Sequence, residues 1–323
     1  MALSIIVRNV NEALPLAMLH LRHSGIPEVS RDMATLEYPE PVITTYWNPM
    51  ERVLFLPERD ANPFFHLFES LWILGGRQDV AFLQQFNSRI SEYSDNGKIF
   101  HGAYGFRLRH NHIGDQIEEA IDLLAREPNT RRCVLQIWDA NRDLGTRTKD
   151  TPCNTMVYFK IRGGALNMTV CNRSNDVIWG AYGANVVQFS VLQEYVANRV
   201  GVGVGRYHQM SDSFHVYPDN PQWAKLKDIP VKDDPWYASG KVRPYPLGVD
   251  SAGHWDQDLR WFLEDPFGDA VYETAYFNDV VQPLALAWLA HKEEKNGAGA
   301  LDATSRIDWV VAARAWLLRR EAK

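Results

Sequence analysis

The stretch from Asp150 to Asp176 constrains the fold more than any other part of the chain. Two runs of apolar, β-branched and aromatic residues, Met156–Ile161 and Leu166–Cys171, lie on either side of Gly163-Gly164. Two consecutive glycines between such runs predict a tight turn, so the stretch is expected to form an antiparallel β-hairpin.

The open end of this predicted hairpin carries reactive side chains. Pairing outward from the turn sets Cys153 opposite Ser174 and within one residue of Arg173. A cysteine attacks as its thiolate and a nearby guanidinium favours the charged form, so we expect the pKa of Cys153 to be low. Asn154, Asn172, Asn175 and Asp176 add polar groups at the same end. The alternative is that Cys153 is a small apolar residue at the start of a strand.

Length, composition and charge favour one α/β domain over residues 1–323 and exclude several classes of protein. The 323 residues are 46% apolar, enough for a large core, and a net charge of −6 argues against a protein that coats nucleic acid. Three separated cysteines suit a reducing compartment rather than a disulfide framework or a zinc site. Without a membrane-length apolar run or a signal-peptide pattern, the chain is expected to be cytoplasmic. The chain is also expected to use no metal.

Three further candidates each have a plain structural explanation. Glu69 lies in a predicted helix, Phe64–Leu74, that is apolar on almost every side, and a buried carboxylate is costly unless it is paired or used; it could instead be exposed on a narrow polar stripe. The adjacent Arg131 and Arg132 suit phosphate but also suit the surface. The pair His215 and Tyr217 could simply belong to the core.

The hairpin resembles the nucleophile region of the thymidylate synthase family, which includes pyrimidine nucleotide hydroxymethylases. Cys153, Arg173, Ser174 and Asp176 fall at that family's spacing, and the FESLWILGG and HGAYG segments are similar to two further family motifs. The resemblance spans roughly residues 1–220. It implies an α/β fold of the α+β type, with a large mixed β-sheet flanked by helices and a sheet face that forms a homodimer interface. Residues 218–323 are expected to be divergent, helical and rich in loops.

The resemblance also implies catalytic roles. Cys153 would add to C6 of a pyrimidine nucleoside monophosphate, Glu69 and Tyr104 would move protons with waters, and Asn185 would read the base edge. Asn185 lies nine residues after Asp176, one more than the family spacing.

The remaining roles concern substrate and cosubstrate binding. Asp176 would hold the pterin of 5,10-methylenetetrahydrofolate. The nucleotide would be bound by Arg173, Ser174, Asn154, by Arg31 in a predicted loop from Ser30 to Thr35, by Arg131 and Arg132 of the partner subunit, and by His215 and Tyr217 at the sugar.

Departures from the synthases favour hydroxymethylation over methylation. Ser91, Tyr93 and Ser94 stand where synthases have a tryptophan-containing run that excludes water, and Asn154 replaces a histidine. The motif Arg173-Ser174-Asn175-Asp176 resembles that of the deoxycytidylate hydroxymethylases, whereas Asn185 favours uracil as the base. Deoxycytidylate is therefore ranked first as substrate, with deoxyuridylate or cytidylate possible, and synthesis of thymidylate from deoxyuridylate is the alternative.

Two hypotheses come from other functional classes. Cys153 could be a hydrolase nucleophile with His208 or His215 as its base. The chain could also be a nucleotide-binding protein without catalytic activity.

Overall fold

A computed structural model describes residues 2–110 and 114–322. The strands in this part of the chain are β1 (Leu3–Val7), β2 (Ile26–Ser30), β3 (Met33–Glu37), β4 (Val42–Tyr46), β5 (Val134–Gln136), β6 (Asn154–Arg162), β7 (Ala165–Asp176) and β8 (Gly203–Val216). The α-helices are α1 (Val10–Ser24), α2 (Pro63–Leu74), α3 (Val80–Gln84), α4 (Tyr104–Arg109), α5 (Gln116–Arg126), α6 (Ala140–Asp143), α7 (Asn185–Val200), α8 (Pro221–Leu226), α9 (His254–Glu264), α10 (Gln282–Glu294) and α11 (Asp308–Glu321).

All eight of these strands form one mixed sheet. Its main order is β1-β4-β8-β7-β6-β5, and β3 joins β2 to the end of β8. The pairs β1–β4 and β7–β8 are parallel, and the other pairs are antiparallel. The predicted fold class, a large mixed sheet flanked by helices, is confirmed.

The predicted hairpin is present, but its register changes near the open end. Gly163 and Gly164 form the turn with φ angles of 59° and 75°. Glycine adopts positive φ angles readily because it has no Cβ, whereas other residues rarely adopt them. A bulge between Asn154 and Met156 then shifts the pairing by one residue. Cys153 consequently lies opposite Arg173, whose backbone N–H donates to the Cys153 carbonyl at 3.0 Å. The prediction that Ser174 is its partner was wrong.

The predicted loop around Arg31 is instead a second hairpin. Strands β2 and β3 pair directly, and Arg31 and Asp32 form the turn with positive φ angles of 52° and 62°. Such a turn matches the twist of paired strands. Arg31 therefore lies at the tip of the β2–β3 hairpin rather than in the predicted loop.

The core lies on one face of the sheet. Helices α1, α5 and α7 cover the buried residues of that face, among them Val157, Phe159, Met168 and Val170. Alternate residues point to the opposite face, where the apolar Ile6 and Tyr158 are exposed. A face of this kind is available for contact with another chain.

Residues 218–322 pack four helices and long loops beside the sheet. The sequence predicts helices near Asp256–Leu263, Asn278–Lys292 and Arg306–Arg320. Helices α9, α10 and α11 agree with these segments to within a few residues, except that a π-helical turn (Phe277–Val281) precedes α10. Arg319 and Arg320 on α11 bind Asp60 near the start of α2 at 3.0 and 2.7 Å. Within the described part of the chain, we find no helix with the length and apolar character of a membrane span.

Candidate active site

Cys153 lies just before β6 and is partly buried. The Arg173 guanidinium donates to the Thr151 and Pro152 carbonyls, at 2.9 Å each, and its Nη2 lies 3.8 Å from the Cys153 sulfur. The guanidinium also lies over the Trp138 ring, 5.7 Å from its centroid. Arg173 thus fixes the backbone around the thiol as well as supplying a charge.

The pKa of Cys153 is raised in the free protein, contrary to the expectation from sequence. Burial raises it most; the positive charges of Arg173 and Arg31 lower it, and the carboxyl groups of Asp150 and Asp176 raise it. The predicted arginine effect is present but is outweighed. A thiol in this setting is protonated until something brings further positive charge or removes a proton.

Glu69 lies on α2 and faces the start of α7. Its Oε2 accepts a hydrogen bond of 2.6 Å from Gln188 Nε2, one helical turn after Asn185. Burial raises the pKa of Glu69 to about 7, although the Gln188 hydrogen bond lowers it and Asp150 raises it further. A carboxyl group that titrates near neutrality is able both to give and to accept a proton at physiological pH.

Tyr104 begins α4 beside the thiol. Burial raises its pKa, and so do the nearby Cys153 and Asp150, while the Asn154 backbone and side chain lower it through hydrogen bonds. Asp150 Oδ2 accepts a 2.7 Å hydrogen bond from the Gly102 N–H, which ties the Tyr104 segment to the Cys153 loop. Burial raises the pKa of Asp150 to about 6.

Asn185 reaches the site although one extra residue separates it from Asp176. Residues Val177–Ala184 form a π-helical stretch, in which the Asn185 N–H bonds to the Gly180 carbonyl five residues back. The wider turn absorbs the additional residue. Asn185 Oδ1 accepts from Asn154 Nδ2 at 3.3 Å, so the predicted base reader does lie beside the nucleophile strand.

Asp176, His215 and Tyr217 form a second group across β7 and β8. Asp176 Oδ1 accepts the backbone N–H groups of Ile178 and Trp179 at 2.7 and 2.9 Å, and Asp176 pairs with His215 in the sheet register. Burial is the largest of the effects that raise the pKa of Asp176. The rings of His215 and Tyr217 meet edge to face at 5.3 Å.

Tyr217 and Arg31 connect this second group to the thiol. The pKa of Tyr217 is raised, first by burial and then by the charges of Asp176 and Cys153, and Arg31 lowers it. The tip of the β2–β3 hairpin therefore faces the same space as Cys153. Ser174, between Arg173 and the second group, is partly exposed.

Comparisons with known proteins agree with this arrangement. The family model described as thymidylate synthase matches residues 59–229. A deoxyuridylate hydroxymethyltransferase of Pseudomonas phage M6 is 46% identical over 98% of this chain and 93% of its own length. A deoxyuridylate hydroxymethyltransferase of Bacillus phage SP01 is 44% identical over 56% of this chain and 50% of its own length. A putative thymidylate synthase of Methanosarcina acetivorans is 38% identical over 44% of this chain and 66% of its own length.

The chain belongs to the thymidylate synthase family. Membership makes it a one-carbon transferase, and the family implies nucleotide and folate substrates. The predicted enzyme class is thereby confirmed.

Two residues that a thymidylate synthase family site was expected to use do not approach this chain's own site. Arg131 and Arg132 are exposed, and Arg132 pairs with Glu127 at 2.7 Å. They precede β5 next to Cys133, whose carbonyl accepts from Phe159, six residues along β6 from Cys153. Six residues of strand span about 20 Å. Within one chain, the two arginines are therefore remote from the thiol.

The histidines of the hydrolase hypothesis do not contact the nucleophile of this thymidylate synthase family member. His208 Nδ1 bonds to Thr45 Oγ1 at 2.9 Å, and His215 Nδ1 bonds to Ser213 Oγ at 3.0 Å. No hydrogen bond joins either ring to Cys153 in residues 2–110 and 114–322, and these residues contain no His, Cys, Asp or Glu cluster that could hold a metal.

Sequence reasoning missed three polar residues of the site, Asp150, Gln188 and Ser211, and it placed Asn175 at the open end of the hairpin without giving it a role. Asp150 stands three residues before Cys153, and Gln188 one helical turn after Asn185, spacings that could have suggested both. Asn175 is buried beside Asp176, and Ser211 is buried on β8. No local pattern marks Ser211, because its contact with the site arises only from the pairing of β7 with β8.

Proposed function

We propose that this protein hydroxymethylates C5 of deoxyuridylate, with methylenetetrahydrofolate as cosubstrate. The observation that carries the proposal is the convergence of Cys153, Glu69, Tyr104 and Asn185 in one site, in a chain whose M6 phage relative bears the name deoxyuridylate hydroxymethyltransferase.

Covalent catalysis begins at Cys153. Its sulfur forms a bond to C6 of the pyrimidine, and the electron pair of the C5–C6 double bond moves toward C5 and the 4-position, which makes C5 nucleophilic. Because the resting pKa of Cys153 is raised, the thiol needs help to ionise. Arg173 would bind the phosphate of the substrate, and the bound substrate would desolvate the thiol further. Transfer of the thiol proton to a neighbouring group is therefore part of this step.

Glu69 and Tyr104 are the groups placed to move protons. With a pKa of about 7, Glu69 is present in both protonation states near neutrality and can relay a proton to and from the 4-position of the base through water. Because the pKa of Tyr104 is raised, its hydroxyl stays protonated at neutral pH. The O–H can therefore donate a hydrogen bond, or give up its proton to a nearby base. C5 then forms a bond to the methylene carbon of the cosubstrate, C5 loses its proton, and the bond from that carbon to the folate nitrogen breaks, which releases tetrahydrofolate and leaves an exocyclic methylene group. Water adds to this methylene group, and expulsion of the Cys153 sulfur from C6 restores the C5–C6 double bond and gives the hydroxymethyl product.

The residues around Asp176 fit a pterin and its adjoining ring. Asp176 Oδ1 is used by two backbone N–H groups, which leaves Oδ2 for a ligand. The Trp179 indole is 49% exposed three residues later, and the buried Arg59 supports it from behind at 4.4 Å. A flat, supported aromatic surface beside a carboxylate suits a heterocycle with N–H donors.

The phosphate pocket is completed by a second subunit. Arg173 and Ser174 lie in this chain's site, and Arg31 faces it, but Arg131 and Arg132 lie just before β5, remote from the thiol. A two-fold axis through the uncovered sheet face would bring these two arginines toward the partner's thiol. The proposed homodimer thus explains two exposed arginines and one uncovered sheet face together.

The choice of base differs from the first-ranked substrate of the sequence analysis. Asn185 is an amide, which pairs with the N3–H and O4 of uracil without a change of protonation, and the M6 and SP01 phage relatives are named for deoxyuridylate. We therefore propose deoxyuridylate rather than deoxycytidylate. Deoxyribose and a cytoplasmic location remain predictions.

The test is to incubate the purified protein with methylenetetrahydrofolate and each of deoxyuridylate, deoxycytidylate and cytidylate, and to weigh the product. Hydroxymethylation adds CH2O and releases tetrahydrofolate, whereas methylation adds CH2 and releases dihydrofolate. Dihydrofolate formation would contradict the proposal. With Cys153→Ser we expect nucleotide binding without turnover, and unchanged turnover in that variant would also contradict it.

A further inference from the structure

A continuous hydrogen-bonded chain of side chains runs from the nucleophile strand to β8. Asn154 Nδ2 donates to Asn185 Oδ1 at 3.3 Å, Asn185 Nδ2 donates to Asn175 Oδ1 at 3.1 Å, and Asn175 Nδ2 donates to Ser211 Oγ at 2.9 Å. We call these four residues the amide relay. All four side chains are buried.

The relay has a direction that its members share. Asn185 and Asn175 each accept a hydrogen bond on the amide oxygen and donate one from the amide nitrogen, so turning either amide alone would set two N–H groups or two oxygens against each other. In a buried site such a mismatch leaves polar groups unpaired, which is costly. The orientation of Asn185 is therefore coupled to that of Asn175, and the hydrogen bond to the Ser211 hydroxyl holds the Asn175 side chain in place.

This coupling matters because a primary amide by itself does not distinguish the two pyrimidines. Uracil presents an acceptor at the 4-position and a donor at N3, whereas cytosine presents the reverse, a donor at the 4-position. An asparagine that turns freely matches either edge. Discrimination requires that something hold the amide in one orientation.

We propose that Asn175, anchored by Ser211, is a positioning residue that sets which end of the Asn185 amide meets the base, and so determines base specificity. The proposal rests on the proposed role of Asn185 as the base reader.

Two observations around the relay support this role. The backbone of the π-helical stretch packs directly on the Asn175–Asn185 contact: a Cβ at Gly180 would lie 3.0 Å from Asn175 Oδ1 and 3.3 Å from Asn185 Nδ2. At the other end, next to Cys153, the buried Asn154 Oδ1 has no hydrogen-bond partner in the described part of the chain. A donor from the edge of a bound substrate would complete the relay there.

The experiment compares the dissociation constants of deoxyuridylate and deoxycytidylate, measured by calorimetry without folate, in wild type and four variants. Asn175→Leu keeps the volume but breaks the relay, and Ser211→Ala removes its anchor. In both we expect the preference between the two nucleotides to fall at least tenfold, chiefly because the disfavoured nucleotide binds better. Ser211→Thr retains the hydroxyl and should keep the preference within about threefold.

Ser190→Ala is the matched control. Ser190 is buried on α7 like the relay residues, but its hydroxyl bonds only to the Val187 carbonyl at 3.1 Å, so the preference should not change. A thermal melt of each variant shows that it is folded. If Asn175→Leu weakens both nucleotides equally, its role is structural and the inference fails; an unchanged preference, or a wild type that binds both nucleotides alike, also overturns it.

The same proteins separate this inference from the proposed function. Release of tritium from C5-labelled nucleotide with methylenetetrahydrofolate reports the chemistry independently of binding. Selective binding that depends on Asn175, without tritium release in wild type, would overturn the proposed function and leave the relay intact. Tritium release with a preference that Asn175→Leu does not change would overturn the relay alone, and a wild type that binds neither nucleotide would overturn both.

Discussion

The guanidinium of Arg173 reaches the sulfur of Cys153, at 3.8 Å, from directly across a hairpin whose register is displaced by one bulged residue. The bulge brings the arginine rather than the serine opposite the thiol. The charge that promotes thiolate formation and the contacts that hold the Thr151 and Pro152 carbonyls therefore come from a single side chain.

Removal of the Arg173 charge should make the thiol harder to ionise. The Arg173 charge lowers a pKa that burial raises, so in Arg173→Gln the pKa of Cys153 rises further. We expect the pH profile of thiol alkylation by iodoacetamide to move to higher pH by about one unit. Arg162→Gln, at the turn end of the same hairpin, is the control and should leave the profile in place. An unmoved midpoint in Arg173→Gln would contradict this account of the thiol.

The carboxylate of Glu69 should lower the free energy of unfolding at alkaline pH, where this residue is ionised. Its pKa rises from 4.5 to about 7 on folding, so the protonated form is favoured in the folded protein. The stability associated with it is fully present below pH 4.5 and is lost as pH rises through about 7. We expect Glu69→Gln to raise the free energy of unfolding by about 1–3 kcal/mol at pH 8, with little change at pH 4.5. Urea denaturation at both pH values measures this, and activity should fall. Equal effects at the two pH values would argue against the raised pKa.

Gly102 should tolerate no side chain. A Cβ there would lie 2.6 Å from the Asp150 carbonyl oxygen and 3.0 Å from the Pro152 nitrogen, both backbone atoms of the Cys153 loop. We expect Gly102→Ala to lower kcat at least tenfold and stability by about 1–3 kcal/mol. Gly203→Ala is the control, since a Cβ there meets nothing closer than 3.5 Å. A fully active Gly102→Ala protein would show that activity does not depend on the close contact between Gly102 and the Cys153 loop.

Arg131 and Arg132 should act in the partner's site. Cys153→Ser and the double variant Arg131→Ala/Arg132→Ala should each be inactive or severely impaired. Mixing them under conditions of subunit exchange should restore activity to about a quarter of wild type, because half of the dimers then carry one complete site. No recovery, in a mixture where mass spectrometry detects mixed dimers, would show that the arginines do not act across the interface.

Much of the architecture could be predicted because it depends on local signals. The Gly163-Gly164 turn, the buried helix α2 with its Asn62 cap, and the approximate positions of α9, α10 and α11 follow from turn chemistry, capping and periodicity. The β2–β3 hairpin was missed because the first residue of its turn, Arg31, lies in the left-handed region, and arginine does not signal this conformation.

The site was harder to predict because it depends on burial and on pairing between distant segments. The sequence indicates that a guanidinium is near Cys153, but it does not give the desolvation that reverses the net direction of the thiol's pKa shift. Likewise, Asn175 and Ser211 are far apart in sequence and meet only because β7 and β8 run parallel.

The π-helical stretch after Asp176 has a consequence for comparing relatives of this chain. An inserted residue that is accommodated in one wide helical turn lengthens the sequence without displacing Asp176 and Asn185 at the two ends of the stretch. Counts of residues between active-site positions therefore underestimate how well two family members superimpose here, and alignments that open a gap elsewhere to restore the count would assign the wrong asparagine to the base.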